Sequence, residues 1–178
     1  MLKIVAIVVI VLVVLVLAVL IAAATRPDDF GVERSTTIQA PPEKVYALIE
    51  DFRQWPQWSP YEKLDPAAKK TFSGSTSGQG AVYEWEGNSQ AGSGRIEITE
   101  AKSPSQLTMA LHMIKPFGCH NLVVFTCDKQ GDATKVTWSM QGPQPFMGKV
   151  MGLFMNMDKM VGGQFEEGLA NLKAAAES

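Results

Sequence analysis

Between Ile4 and Ala24 the chain carries no charge, no hydrogen-bonding side chain, no glycine and no proline. Sixteen of these 21 positions are Ile, Val or Leu, and the other five are Ala. At about 1.5 Å per residue, a helix of this length covers roughly 30 Å, the thickness of a bilayer's hydrocarbon core. Each branched aliphatic near the middle of such a helix favours insertion by about 0.3–0.6 kcal/mol, so the segment partitions into a membrane before any tertiary contact forms. A soluble domain has no use for a helix apolar on every side. Residues 1–25 are therefore expected to be an N-terminal transmembrane anchor (or uncleaved signal) that contacts the bilayer through residues 4–24. A cleaved secretory signal ending at Ala22–Ala23–Ala24 is the competing reading. Such signals carry about 7–15 apolar residues behind a basic leader, whereas here the stretch is longer and Lys3 is the one leading cation. Lys3 and the terminal amine precede the span, while Arg26 is offset by Asp28 and Asp29, which favours a single-pass protein with its soluble domain extracytoplasmic.

Beyond a polar linker at 26–33, residues 34–178 make one domain of ordinary size. Apart from Lys3 the chain holds 15 basic and 18 acidic residues with no basic run, so nucleic-acid binding has no electrostatic footprint. Cys119 and Cys127 fall in one expected strand. That would hold them roughly 27 Å apart, far beyond disulfide reach.

Periodicity divides the domain. Arg34 to Gln39 has strand character. Ala40–Pro41–Pro42–Glu43 suits a helix start, and Val45, Leu48, Ile49 and Phe52 recur at helical spacing behind it. Pro56 and Pro60 confine the next stretch to short turns, with Trp55 and Trp58 forming a hydrophobic corner. From Lys70 the period becomes two. Tyr83 and Trp85 oppose Glu84 and Glu86; Ile96 and Ile98 oppose Arg95 and Glu97. Leu107, Met109, Leu111 and Met113 share a face, Asn121 to Cys127 is apolar on both, and Val136, Trp138 and Met140 close an antiparallel meander of five or six strands. The helical period then returns. Val150, Leu153, Phe154, Met157, Val161, Phe165, Leu169 and Leu172 trace one stripe, predicting a single long C-terminal helix across the sheet.

Chemistry-bearing residues are few. His112 falls on the face opposite Met109, Leu111 and Met113, so it is expected to point outward. His120 neighbours Cys119, but adjacent strand residues face opposite ways and no further ligand has matching spacing, so no metal site is expected. Glu84 and Glu86 read as solvated, and Asp158 as the solvent flank of the helical stripe. The glycine-rich run Gly74–Gly80 leads into a strand rather than a helix, so it is a loop and not a phosphate cradle. Methionines crowd the last helix, at Met147, Met151, Met155, Met157 and Met160, with Met109, Met113 and Met140 on strands. Such side chains suit either a soft core or a pocket for greasy ligands.

The segments IQAPPEKVYALIEDFRQWPQWSP, YEWEGNSQAGSGRIEI, TKVTWSM and FEEGLANLK, in that order, resemble the START-like, or SRPBCC, superfamily, in particular its polyketide cyclase/dehydratase and lipid transport branch. The resemblance implies an α+β helix-grip (START-like) fold: a curved antiparallel sheet wrapped around a long C-terminal helix, here preceded by a single transmembrane helix. It also implies a mostly apolar cavity between sheet and helix. Candidate lining residues are then Tyr83, Trp85, Ile96, Ile98, Met109, Leu111, Met113, Trp138, Met140, Phe154, Met157, Val161 and Phe165, with Asp158 and His112 as polar candidates. No catalytic motif can be carried over. The expected function is a membrane-anchored binding module for a hydrophobic or amphipathic, lipid-like small molecule, with no cofactor. The alternatives are a cyclase/dehydratase- or hydrolase-type enzyme drawing on Tyr83, Asp158 or His112, and a protein-interaction module at the membrane.

Overall fold

The computed structural model describes residues 2–116 and 118–178, except for the side chains of Leu2 and Met157. Helix α1 (Leu2–Ala24) is long and apolar enough to cross a membrane, with a mean hydropathy of 3.9. Strand β1 (Asp29–Ile38) follows after four residues, so the expected linker is shorter than 26–33 and Asp29–Glu33 already pair with the sheet. Helix α2 (Pro42–Glu50) begins where proline's fixed φ and missing N–H suit a first turn. It buries Val45, Tyr46 and Ile49.

Two 3-10 turns, Phe52–Gln57 and Pro60–Lys63, make the expected corner. The indole N–H of Trp55 donates to the Ile49 carbonyl, and that of Trp58 to the Leu48 carbonyl, each at 2.9 Å. Both large rings can therefore be buried without leaving a donor unpaired.

Strands β2 (Lys69–Gly74), β3 (Ala81–Glu86), β4 (Ser93–Lys102), β5 (Gln106–Lys115), β6 (Cys119–Gln130) and β7 (Ala133–Pro143) complete one antiparallel sheet in the order β1-β7-β6-β5-β4-β3-β2. The expected meander of five or six strands is thus the six strands β2–β7, joined at β7 by β1, the strand expected at Arg34–Gln39. The sixth is the edge strand β2, whose KKTFSG carries only a weak apolar alternation. Cys119 and Cys127 are both free on β6, and burial pushes the Cys127 thiol up to about 12, so it packs as a neutral group.

The expected single C-terminal helix is two helices, α3 (Phe146–Phe154) and α4 (Met157–Glu177). Met155 is extended, and the Asn156 side chain accepts the Lys159 N–H at 2.9 Å, capping a new helix. An Asn in this position offers the backbone a local bond that competes with helix continuation, so an unbroken apolar period did not reveal the interruption. Only α4 crosses the sheet; α3 packs beside the end of α1.

Candidate functional site

The sheet's inner face is closed at one end and open at the other. At the closed end Val136, Leu107, Met109, Ile98 and Phe125 are at most 1% exposed, covered by α2 and the second half of α4, where Leu169 and Leu172 are equally buried. Toward the opposite strand ends, Met140 on β7 and Leu111 and Met113 on β5 become half-exposed, and on α4 exposure rises from Phe165 through Val161 to Met160. Between the sheet and the first turns of α4 lies a hollow of about 430 Å³.

Nine expected residues line it: Tyr83, Trp85, Ile96, Leu111, Met113, Trp138, Met140, Val161 and Phe165. Trp138 lies flat on Phe165, with ring centroids 4.0 Å apart and planes at 9°, and also stacks on Phe125 at 4.8 Å. Gly168 is what permits this stack, because a Cβ there would stand 2.7 Å from the Trp138 ring.

Other expected residues lie elsewhere. Ile98 and Met109 share the inner face but sit at its closed end, fully buried in solid core. Phe154 ends α3 rather than continuing α4, and is 73% exposed. The Met157 side chain lies outside the described residues. Asp158 does not face the hollow. It turns toward β1, where it pairs with the Arg34 guanidinium at 2.9 Å; Glu166 takes the same guanidinium at 2.7 Å. His112 stands on the convex face opposite His120, with their Nδ1 atoms 3.1 Å apart.

Of the polar groups that do reach the hollow, Tyr83 is the one expected, whereas Glu62 and Lys70 carry no sequence signal. The Tyr83 hydroxyl donates to Glu62 Oε1 at 2.8 Å, and Lys70 Nζ pairs with Glu62 Oε2. The Glu62 side chain is only 8% exposed. Burial, followed by the bond to Glu62, pushes the Tyr83 phenol well above its ordinary range. The wall there carries one compensated ion pair and a firmly protonated phenol. Lys70 and Phe72 share the face of Trp85 and Tyr83 because β2 and β3 register as Lys70↔Trp85 and Phe72↔Tyr83. That register, not any motif, puts the lysine inside. Glu62 arrives on the second 3-10 turn, and a Pro-Tyr-Glu-Lys turn by itself says nothing about which way its carboxylate points.

Two lining groups are buried without a hydrogen-bond partner among the described residues, Trp138 Nε1 and Asn121 Oδ1. Asn121 is 8% exposed, and among the described residues its Nδ2 reaches the sulfurs of Cys119 and Met140 alone. Unpaired buried polar atoms are costly by about 1–3 kcal/mol each, so this part of the wall is held at some expense in stability.

Comparison with known proteins agrees with this architecture. No curated protein matches the sequence. Among solved structures, the chain is similar to DynU16, a protein of the dynemicin biosynthetic locus (TM-score 0.60, 16% identity), covering 86% of this chain and 48% of DynU16, about half its length. It is also similar to a protein from Rhizobium leguminosarum (TM-score 0.62, 10% identity, 84% and 95% covered) and to the Aha1 dimer from Colwellia psychrerythraea (TM-score 0.59, 15% identity, 83% and 96% covered). Identities this low speak for the shared fold alone. The sequence model of one family, polyketide cyclase / dehydrase and lipid transport, matches residues 29–177, from the first residue of β1 to the last of α4. With the helix-grip sheet, the overlying α4 and the hollow between them, that match places the chain in the polyketide cyclase / dehydrase and lipid transport family.

Proposed function

We propose that this protein is a membrane-anchored module that holds a hydrophobic or amphipathic, lipid-like small molecule between its sheet and α4. The observation that carries the reading is the 430 Å³ hollow lined mostly by aromatic, aliphatic and methionine side chains, with few polar ones among them. Pockets of this size take drug-sized molecules, roughly a ring system or one short chain rather than a whole two-chain phospholipid. The charged groups at the wall are Glu62, Asp65 and Lys70, a net negative set, so a neutral guest is favoured over a fatty carboxylate. The family description, which includes lipid transport, points the same way. α1 supplies the membrane anchor in this reading, with the soluble domain on the extracytoplasmic side.

Native mass spectrometry of the full chain released from gently isolated membranes tests it. The expected result is a co-purifying neutral organic species that Val161→Phe displaces; a protein mass with no adduct under every release condition would refute it.

The Lys70–Glu62–Tyr83 group supports a second reading, an enzyme of the cyclase/dehydratase or hydrolase type. In it Glu62, held as a carboxylate by Lys70 and oriented by the Tyr83 hydroxyl, is a general base that takes up a proton from the guest. Conversion of the co-purified species by wild type but not by Tyr83→Phe, with binding retained, would favour that reading over simple carriage.

A further inference from the structure

Four observations converge at the end of the domain where α1 enters. The first is the tether. Ala24 ends α1 and Asp29 begins β1, so the connection spans at most about 18 Å even if fully extended. It is not fully extended. Thr25 and Arg26 are hydrogen-bonded back onto Ile21 and Ala23, and the Asp28 carbonyl accepts the Gln144 N–H at 2.6 Å. The second is α3. Its buried Lys149 pairs with Asp28, and the helix packs beside the final turns of α1, where Ala23 is fully buried and Val19 half-buried. Val19 lies about 7 Å along the helix axis from Ala24. Amphipathic helices bed at about that depth, roughly 5–10 Å into the boundary between headgroups and acyl chains.

The third observation is what α3 shows to its surroundings: Phe146, Met147, Phe154 and Met155 are 48%, 59%, 73% and 44% exposed. Ile114 at the end of β5 and Met160 on α4 add further exposed apolar side chains, at 63% and 48%. Its one lysine, Lys149, is turned away and neutralised. The fourth is the hollow, whose half-exposed rim of Met113, Met140 and Met160 lies at these same strand ends.

We propose that α3 and its flanking residues bed into the outer part of the bilayer leaflet, so that the mouth of the hollow faces lipid and the guest passes between membrane and cavity without crossing water. The proposal rests on α1 being a membrane span. The tether and the α1–α3 contact select a lipid surface as the occupant, because a patch held at this depth meets lipid before any protein partner.

The test uses the full chain with Cys119→Ser, reconstituted singly in nanodiscs of phosphatidylcholine with a minor anionic lipid. Cys127, being buried and protonated, does not compete for label. A nitrobenzoxadiazole probe is placed by cysteine substitution at Val13, Met147, Phe154 or Asp132, all on surfaces where the label fits. Tryptophan emission reports that each variant is folded. The proposal expects blue-shifted probe emission at 147 and 154, with at least about twofold quenching by lipids carrying a shallow doxyl group. Probe 13 should be quenched by deep doxyl groups and probe 132 by neither. If probe 13 is deep while 147 and 154 are unquenched, docking is refuted and the anchor stands. A blue shift at 147 and 154 without lipid quenching means a protein covers the patch, which also refutes it. If probe 13 itself is unquenched, both the anchor and the docking fall.

Discussion

Val161→Phe and Val136→Phe make the same chemical change on the two sides of one boundary. Val136 is completely buried at the closed end of the sheet, whereas Val161 borders the hollow. Background propensities cancel, since Val and Phe are close in helices and both favour strands. At Val136 the larger ring has nowhere to go, and overpacking should destabilise by about 1–3 kcal/mol. At Val161 the ring enters 430 Å³ of unfilled space. With each buried methylene equivalent contributing about 0.8 kcal/mol, the gain is up to about 1–2 kcal/mol, reduced if the ring stays partly wet. The two variants should therefore differ by roughly 2–4 kcal/mol. With a urea m-value of about 2 kcal/mol/M, the middle of the usual range, their midpoints separate by about 1–2 M. The assay is urea titration of the full chain in micelles, read by Trp55, Trp58, Trp85 and Trp138, all of which belong to the domain and none to α1. Equal losses of stability at the two sites would mean that α4 rests on a filled core. The ligand-binding proposal would then lose its foundation.

Local geometry sets three further outcomes. Tyr83→Phe removes a hydrogen bond to a charged, nearly buried carboxylate and should cost about 1.5–3 kcal/mol in the same titration; a loss below about 0.5 kcal/mol would mean that the bond to Glu62 is not formed. On α4, Gly163→Ala meets nothing within 4 Å and should stabilise by up to about 1 kcal/mol through helix propensity, whereas Gly168→Ala drives a methyl into the Trp138 ring and should destabilise despite the same propensity gain. The Arg34 hydrogen bond holds the Asp158 carboxyl below its ordinary value of 3.8, so the link between α4 and β1 is complete above that pH and is lost as the pH falls through the depressed value. The Asp158 carboxyl carbon resonance should report this acid transition below 3.8, and Arg34→Gln should move its midpoint up; an unmoved midpoint would mean that the pair is not formed.

Pattern alone carried much of this protein. An uninterrupted apolar stretch leaves one solution for α1, because no other structure satisfies the backbone of such a segment away from water. Period-two alternation specified which side chains of β3, β4, β5 and β7 point inward, and the paired prolines marked the start of α2. Alternation is blind to depth, however. Met109 and Met113 are identical in pattern and share a strand face, yet one is sealed in core and the other borders the hollow. What separates them is α2, which covers one end of the sheet and not the other, a relation between elements distant in sequence.

The polar corner was illegible for the same reason. Glu62, Lys70 and Tyr83 meet through the β2–β3 register and the fold of a turn, and none of the three carries a local signature of the others. Likewise the apolar stripe ran on past Asn156, while the chain stops, caps and restarts there, leaving Phe154 exposed at the end of α3 instead of on the sheet. Composition and period determine which faces must avoid water, since that depends on each residue and its near neighbours. Which buried face is filled and which is left hollow depends on how separate elements close over one another, and only the assembled tertiary structure decides that.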